Sequence, residues 1–282
     1  MRISYIQNNN PESTETRISF NLIEKFKEKG IEILVNDCDD SCDFILSING
    51  LSQYELFKSF TEKYPNIKSI MYVWDLYPWT SYASNLEGVK EFDELWTPSN
   101  EVILRLQEIY NVDKNKCKVI KCYTDFFEDE DNQITNNKFI YHPVRRYNDP
   151  NLNFTKNVCD EIGYEFKSPN HSLKYDEYKK TVLQCSFLVT EYSEASTGGL
   201  TLLEGYYHGK NILLSDSIYQ GGRDYFGDRA YYFKDGDFED FKEKIQFLWN
   251  IKNEVIDLKD RKEFCKQYTI DAMVDRIINN LK

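Results

Sequence analysis

Residues 194–209 read EASTGGLTLLEGYYHG, and residues 210–215 continue as KNILLS. A turn of small residues, Ser196, Thr197, Gly198 and Gly199, runs directly into a helix whose first turns carry Leu200, Leu202, Leu203 and a lone acid, Glu204. Adjacent glycines let the backbone approach a ligand closely, and the start of a helix directs unpaired N–H groups at whatever sits there. Such a site suits a phosphate. KNILLS is a short apolar run that reads as a buried parallel strand. Loop, helix and strand in that order are the local pattern of an α/β nucleotide site.

The same alternation extends along the chain. Strands are expected at residues 3–6, 31–35, 44–48, 70–73, 95–99 and 118–121, with amphipathic helices over about 17–29, closed by Gly30, from a Ser52 cap to about 63, and over 100–110. Residues 124–137 (TDFFEDEDNQITNN) are acidic and Asn-rich and read as a linker. Strands then recur at 138–141, 164–166, 186–190 and 212–215, with helices over 153–162 and 174–184. This is the pattern of parallel sheets with helices on both faces. It predicts two Rossmann-like halves, each with substrates at its strand ends, facing a cleft.

With 282 residues the chain can bury its cores without disulfides. The seven cysteines are an odd number without the paired short spacing of a zinc site, and they read as reduced, buried thiols. His142, His171 and His208 have no zinc-like spacing either. The acidic run 128–131 reads as linker rather than metal cluster, and Glu91, Asp93 and Glu94 as a solvated face. A formal charge of −12 argues against a broad electrostatic grip on nucleic acid or an anionic membrane. The N-terminal stretch MRISYIQNNN has no apolar run suited to a signal peptide or membrane span, so a soluble, cytoplasmic protein is expected. The sequence does not indicate an oligomeric state.

Taken together, GGLTLLEGYYHGKNILLSD, the later phrase GDRAYYF at 227–233 and the upstream run ELWTPSNEVILRLQEIYNVDKNKCKVI resemble the GT-B glycosyltransferases, closest to the large retaining family often called family four. The resemblance spans most of the chain. It implies an N-terminal acceptor domain at 1–130, a nucleotide-sugar domain at 131–265, and a C-terminal helix in 266–282, preceded by Tyr268, that packs back on the first domain. It also implies sugar transfer, with retention, from a nucleoside-diphosphate sugar, a UDP-sugar first among the donors, with no metal or other cofactor.

The family's second Glu corresponds to Glu204, whose carboxylate suits a ribose diol. Eight positions earlier the family has another Glu where this chain has Ser196, and the nearest acid is Glu194: either a two-residue shift in the turn lets it reach the donor sugar, or that contact is absent. The family's diphosphate clamp has its counterpart in Arg145 and Arg146 of His142-Pro143-Val144-Arg145-Arg146, although no Lys stands five residues later. Arginine makes paired, charge-assisted hydrogen bonds to phosphate, and backbone N–H groups of Gly198 to Thr201 add the field of a helix start.

In the first half, Trp74, Asp75, Tyr77 and Trp79 follow a strand and so stand at a carboxyl edge, where ligands bind in such sheets. Asp75 suits orienting an acceptor hydroxyl or taking its proton, and the aromatic rings suit stacking on a sugar or base. Asn8-Asn9-Asn10-Pro11 replaces the family's Gly-Gly turn, which places Asn10 at the acceptor. Each feature has a plainer reading: a solvated Arg pair, an exposed helix carboxylate, an aromatic core corner with a capping Asp.

Asp75, Arg145 and Glu194 are thus the expected catalytic groups. Arg146, Ser196, Thr197, Gly198, Gly199, Leu200, Thr201 and Glu204 are expected on the donor. Asn10, Trp74, Tyr77 and Trp79 are expected on the acceptor, which is a glycan or glycoside. The alternatives are a phage-type transferase acting on hydroxymethylated DNA bases, a non-catalytic nucleotide-sugar-binding module, and a nucleotide-sugar epimerase of the same architecture.

Overall fold

The apolar runs read as strands pair in parallel in two separate sheets. The computed structural model describes residues 1–7, 14–48, 53–73, 88–124, 126, 139–143, 150–168, 174–190, 199–254 and 256–282, with the backbone alone at 14–17, 150–153 and 175. The first run of elements is β1 (Arg2–Ile6), α1 (Thr14–Glu28), β2 (Glu32–Val35), β3 (Phe44–Ser47), α2 (Tyr54–Lys63), β4 (Lys68–Tyr72), β5 (Glu94–Thr97), α3 (Asn100–Tyr110) and β6 (Cys117–Val119). The second is β7 (Phe139–Tyr141), α4 (Pro150–Ile162), β8 (Phe166–Lys167), α5 (Tyr175–Gln184), β9 (Cys185–Thr190), α6 (Leu200–Tyr207), β10 (Asn211–Ser215), α7 (Gly222–Phe226), β11 (Tyr231–Phe233), α8 (Phe238–Ile251) and α9 (Leu258–Cys265). A final helix, α10 (Ile270–Leu281), closes the order.

Among the described residues, one sheet has six strands in the order β2-β1-β3-β4-β5-β6 and the other has five in the order β11-β10-β9-β7-β8. The chain divides accordingly into two compact units, Met1–Cys122 with Ile270–Lys282, and Tyr123–Thr269. No helix among the described residues is long and apolar enough to cross a membrane.

The second sheet shows why its strands read as unbroken apolar runs. Phe139, Tyr141, Leu188, Ile212 and Leu214 enter one core with α6, while Ile140, Phe187, Val189 and Leu213 enter another with α8. Successive side chains of a strand point to opposite faces, so a sheet covered on both sides must be apolar at every position. In the first unit, Ile6, Ile45, Met71 and Leu95 meet Phe57, Phe92, Val102 and Leu106 in one such core. Helix α10 belongs to this unit: Met273, Val274, Ile277 and Leu281 are buried, Lys29 and Lys25 of the α1 region pair with Asp275 and Asp271 at 2.8 and 3.5 Å, and Arg276 Nη2 donates to Lys121 O at 2.9 Å. All seven cysteines are free thiols, six of them buried.

The expected solvated face holds for Glu91 and Asp93, which are exposed, and is corrected at Glu94. Glu94 is 6% exposed and opens β5, where Lys68 of β4 and Lys118 of β6 reach its two carboxylate oxygens at 2.6 and 2.8 Å and Trp96 Nε1 donates at 2.5 Å. Asp93 Oδ2 accepts from the Ser69 amide and hydroxyl, both at 2.8 Å, and Glu91 accepts from the Tyr54 hydroxyl at 3.0 Å. The reason is register. Ile70 pairs with Glu94 and Trp96 with Lys118, which brings two flanking lysines over one carboxylate that the linear sequence separates by more than twenty residues on each side.

Burial alone would raise the Glu94 carboxyl, but hydrogen bonds from Lys118, Lys68 and Trp96 outweigh it and hold the group below the usual carboxylate range. A depressed folded-state value stabilises the protein above the unfolded value, and that contribution is lost as pH falls through the folded one. Glu94→Gln is therefore expected to cost about 1–3 kcal/mol at pH 7. In urea unfolding from pH 7 to pH 3 the gap between variant and wild type should close on the acid side.

Candidate functional site

In an open parallel sheet, ligands bind outside the carboxyl ends of strands at the point where the chain reverses its direction of addition. In the second unit that point lies between β7 and β9, because β8 adds on one side of β7 and β9, β10 and β11 on the other. Tyr141 and Leu188 are paired across it, so β7 and β9 run side by side into the segments that follow them. By sequence the first of those segments carries Arg145 and Arg146, and the second Glu194, Ser196, Thr197 and Gly198. These six residues lie outside the described ones.

In the first unit the reversal falls between β1 and β3, because β2 adds on the other side of β1, and the segment leaving β1 carries Asn10. Trp74, Asp75, Tyr77 and Trp79 follow β4. All five also lie outside the described residues.

Gly199, Leu200, Thr201 and Glu204 are described. Gly199 is the N-cap of α6 with φ 75°, a left-handed conformation that favours glycine, and its carbonyl accepts from Leu202 N at 2.9 Å and Leu203 N at 3.3 Å. The next N–H groups, of Leu200 and Thr201, belong to the first turn, which has no helical acceptor within reach. Leu202, Leu203, Gly205 and Tyr206 are buried, whereas Glu204 between them is only half-buried. A Cβ on Gly205 would stand 2.4 Å from Leu188 Cδ1, so α6 lies against β9 at a distance that only a glycine permits without a shift. The glycine-rich turn is thus followed by a helix seated tightly on the strand that precedes it.

Glu204 is held from a part of the chain that sequence reasoning had set aside. Thr124 Oγ1 donates to Glu204 Oε1 at 2.6 Å, and the Thr124 amide donates to Tyr268 O at 3.0 Å. Thr124 is buried, and Phe126 stacks on Tyr207 with ring centroids 4.7 Å apart. The reading of 124–137 as a linker is therefore corrected at its start: an aromatic ring and a hydroxyl pack into the second unit. The two phenylalanines of TDFFEDED were the available signal, since a solvated linker has little use for them.

Further along the same sheet edge, Gln220 is buried. Its Nε2 donates to Thr190 O at 3.2 Å, and its Oε1 accepts from Gly222 N at 3.2 Å. The turn after β10 is thereby tied to the end of β9. His142 is 1% exposed and packs edge-on to Phe166, and burial pushes its imidazole down to about 4. It is a neutral packing piece at neutral pH. At the opposite end of β10, Arg261 braces the chain by donating to Lys210 O at 2.6 Å and Asn211 Oδ1 at 2.7 Å. Among the described residues, no group of three or more His, Cys, Asp or Glu is placed to hold a metal ion.

The site so described joins helix N–H groups, a fixed carboxylate and a strand pair running into arginine- and glycine-bearing segments. No protein-family model and no curated protein sequence matches the chain. Solved structures do. The sucrose-phosphate synthase of Thermosynechococcus elongatus matches with a TM-score of 0.73 at 10% identity, over 99% of this chain and 98% of that one. HepE of Anabaena, solved in complex with UDP, matches with a TM-score of 0.68 at 11% identity, over 100% and 99%. A glycosyltransferase of Rickettsia africae matches with a TM-score of 0.63 at 11% identity, over 100% and 97%. At these identities the likeness is one of fold, and the fold of this chain is that of the GT-B glycosyltransferases.

Proposed function

We propose that the chain is a glycosyltransferase that moves a sugar from a nucleoside diphosphate, UDP first, to an acceptor hydroxyl with retention. The observation that carries the reading is Glu204. It is a half-buried carboxylate on a helix that opens at a left-handed glycine, with one oxygen fixed by a threonine hydroxyl. A carboxylate offers about four lone-pair sites, enough for that bond and for a ribose diol. The likeness to a protein solved with UDP supports the same choice of ligand.

On this reading the N–H groups that open α6 face the diphosphate, and Arg145 and Arg146 neutralise the charge that develops as the sugar–phosphate bond breaks. Glu194 takes a sugar hydroxyl. Asp75 orients the acceptor hydroxyl, with Asn10, Trp74, Tyr77 and Trp79 around it. The acceptor oxygen bonds to the anomeric carbon on the face the phosphate leaves, and its proton passes to the departing phosphate oxygen. No metal is called on, because two arginines supply the counter-charge. The net charge of −12 favours a glycan or small glycoside over DNA as acceptor.

The test is release of UDP or GDP from a panel of UDP- and GDP-sugars, with and without glycoside acceptors. Acceptor-dependent release is expected. Donor binding without release under any condition would favour a binding module, and a changed donor sugar without acceptor would favour an epimerase. Glu204→Ala should raise the donor KM about ten- to a hundredfold, from the loss of charge-assisted hydrogen bonds. Replacing Arg145 and Arg146 together by Ala should lower kcat by about a thousandfold with a smaller effect on donor affinity. Excess EDTA should leave turnover unchanged, whereas a loss restored by a divalent cation would overturn the metal-free scheme.

A further inference from the structure

We infer that Thr124 is a positioning residue for donor recognition: it sets the orientation of the Glu204 carboxylate that receives the ribose diol. The inference rests on the donor-site reading above and adds to it a residue from outside the glycine-rich helix. A glutamate on a half-exposed helix face has three side-chain torsions and many rotamers, so a geometry suited to two neighbouring hydroxyls has to be imposed by something rigid. The structure contains such a restraint. Thr124 Oγ1 donates to Glu204 Oε1 at 2.6 Å, a short, charge-assisted bond.

Thr124 is itself held on several sides. It is 6% exposed, and its amide donates to Tyr268 O at 3.0 Å. Tyr268 is fully buried, donates its hydroxyl to Tyr225 O at 2.7 Å, and packs its ring against those of Tyr225 and Phe264 at 5.3 and 5.6 Å. Threonine is β-branched and stiff about its first torsion, so a fixed backbone there means a fixed hydroxyl. The backbone under Glu204 is fixed as well, because Gly205 seats α6 on Leu188 of β9. One carboxylate oxygen is thus pinned between two rigid supports.

There is a topological side to the arrangement. Thr124 is the second residue of the unit Tyr123–Thr269 and Tyr268 the last but one. Entry and exit of the chain are stitched to each other, and the entry is stitched to the proposed donor carboxylate.

The test uses the full chain and two pairs of probes, UDP with 2′-deoxy-UDP and GDP with 2′-deoxy-GDP, titrated by calorimetry. Wild type should prefer the ribose member of its cognate pair by about tenfold, the worth of one hydroxyl on a charged acceptor. Thr124→Val, which keeps the shape and removes the donor, should reduce that preference to about twofold. Thr124→Ala should do the same by a second route in case the valine variant folds poorly, and Thr124→Ser should restore it. Combined with Glu204→Ala, Thr124→Val should add no further loss, since both act on one contact.

A Glu204→Ala variant that keeps the full ribose preference, or a wild type that has none or binds neither nucleotide, would overturn the donor-site reading itself. If Glu204→Ala collapses the preference while Thr124→Val and Thr124→Ala leave it intact, the positioning role alone is wrong. Equal loss in Thr124→Ser and Thr124→Val, or additive losses in the double variant, would likewise remove it, because a hydroxyl acting through Glu204 predicts neither.

Discussion

The parallel pairing of β7 with β9 is the constraint on which the rest of the second unit depends. A parallel pair requires a crossover, here α4, β8 and α5, and it sends both chains out of the sheet at the same edge. Because β8 adds on the far side of β7, no strand separates β7 from β9, and the edge opens there. Two segments more than forty residues apart in sequence are thereby brought to adjacent strand ends, one bearing two arginines and the other two glycines. Within the helix that follows, Gly205 admits an approach to β9 so close that a single side-chain carbon there would collide with Leu188. Sheet order, helix seating and the place of Glu204 are consequences of one pairing.

Much of this was legible before any coordinates. Strands buried on both faces must be apolar throughout, and helices covering them must be amphipathic, so the alternation at 3–6, 31–35 and 44–48, and again at 186–190 and 212–215, announces itself. Gly199 as the start of a helix was legible for a local reason: a pair of glycines before an apolar run has few other uses. Glu204 stood out as the only acid among leucines and tyrosines.

What escaped the sequence reading depends on register and on distant contacts. Glu94 looked solvated because its neighbours in the chain are acids, whereas its neighbours in space are two lysines on flanking strands and an indole of its own strand. Nothing local encodes which residue of β4 or β6 stands opposite. Thr124 escaped for a related reason. A threonine at the head of an acidic, Asn-rich stretch has the composition of a linker, and its partners, Glu204 and Tyr268, lie 80 and more than 140 residues away. Hydrogen bonds of that span, whether from a side chain or from the backbone, leave no periodicity behind them.

The return of α10 has a consequence for how the molecule is made. The second unit is one uninterrupted stretch, Tyr123–Thr269, and holds all of its own core while the ribosome is still producing the segment that follows. The first unit is synthesised earlier yet lacks Met273, Val274, Ile277 and Leu281 until after its successor has emerged. Folding during translation generally proceeds from the first-made domain onward. Here the earlier-made half must wait for the four buried residues of α10, so the later-made half is the one able to finish first.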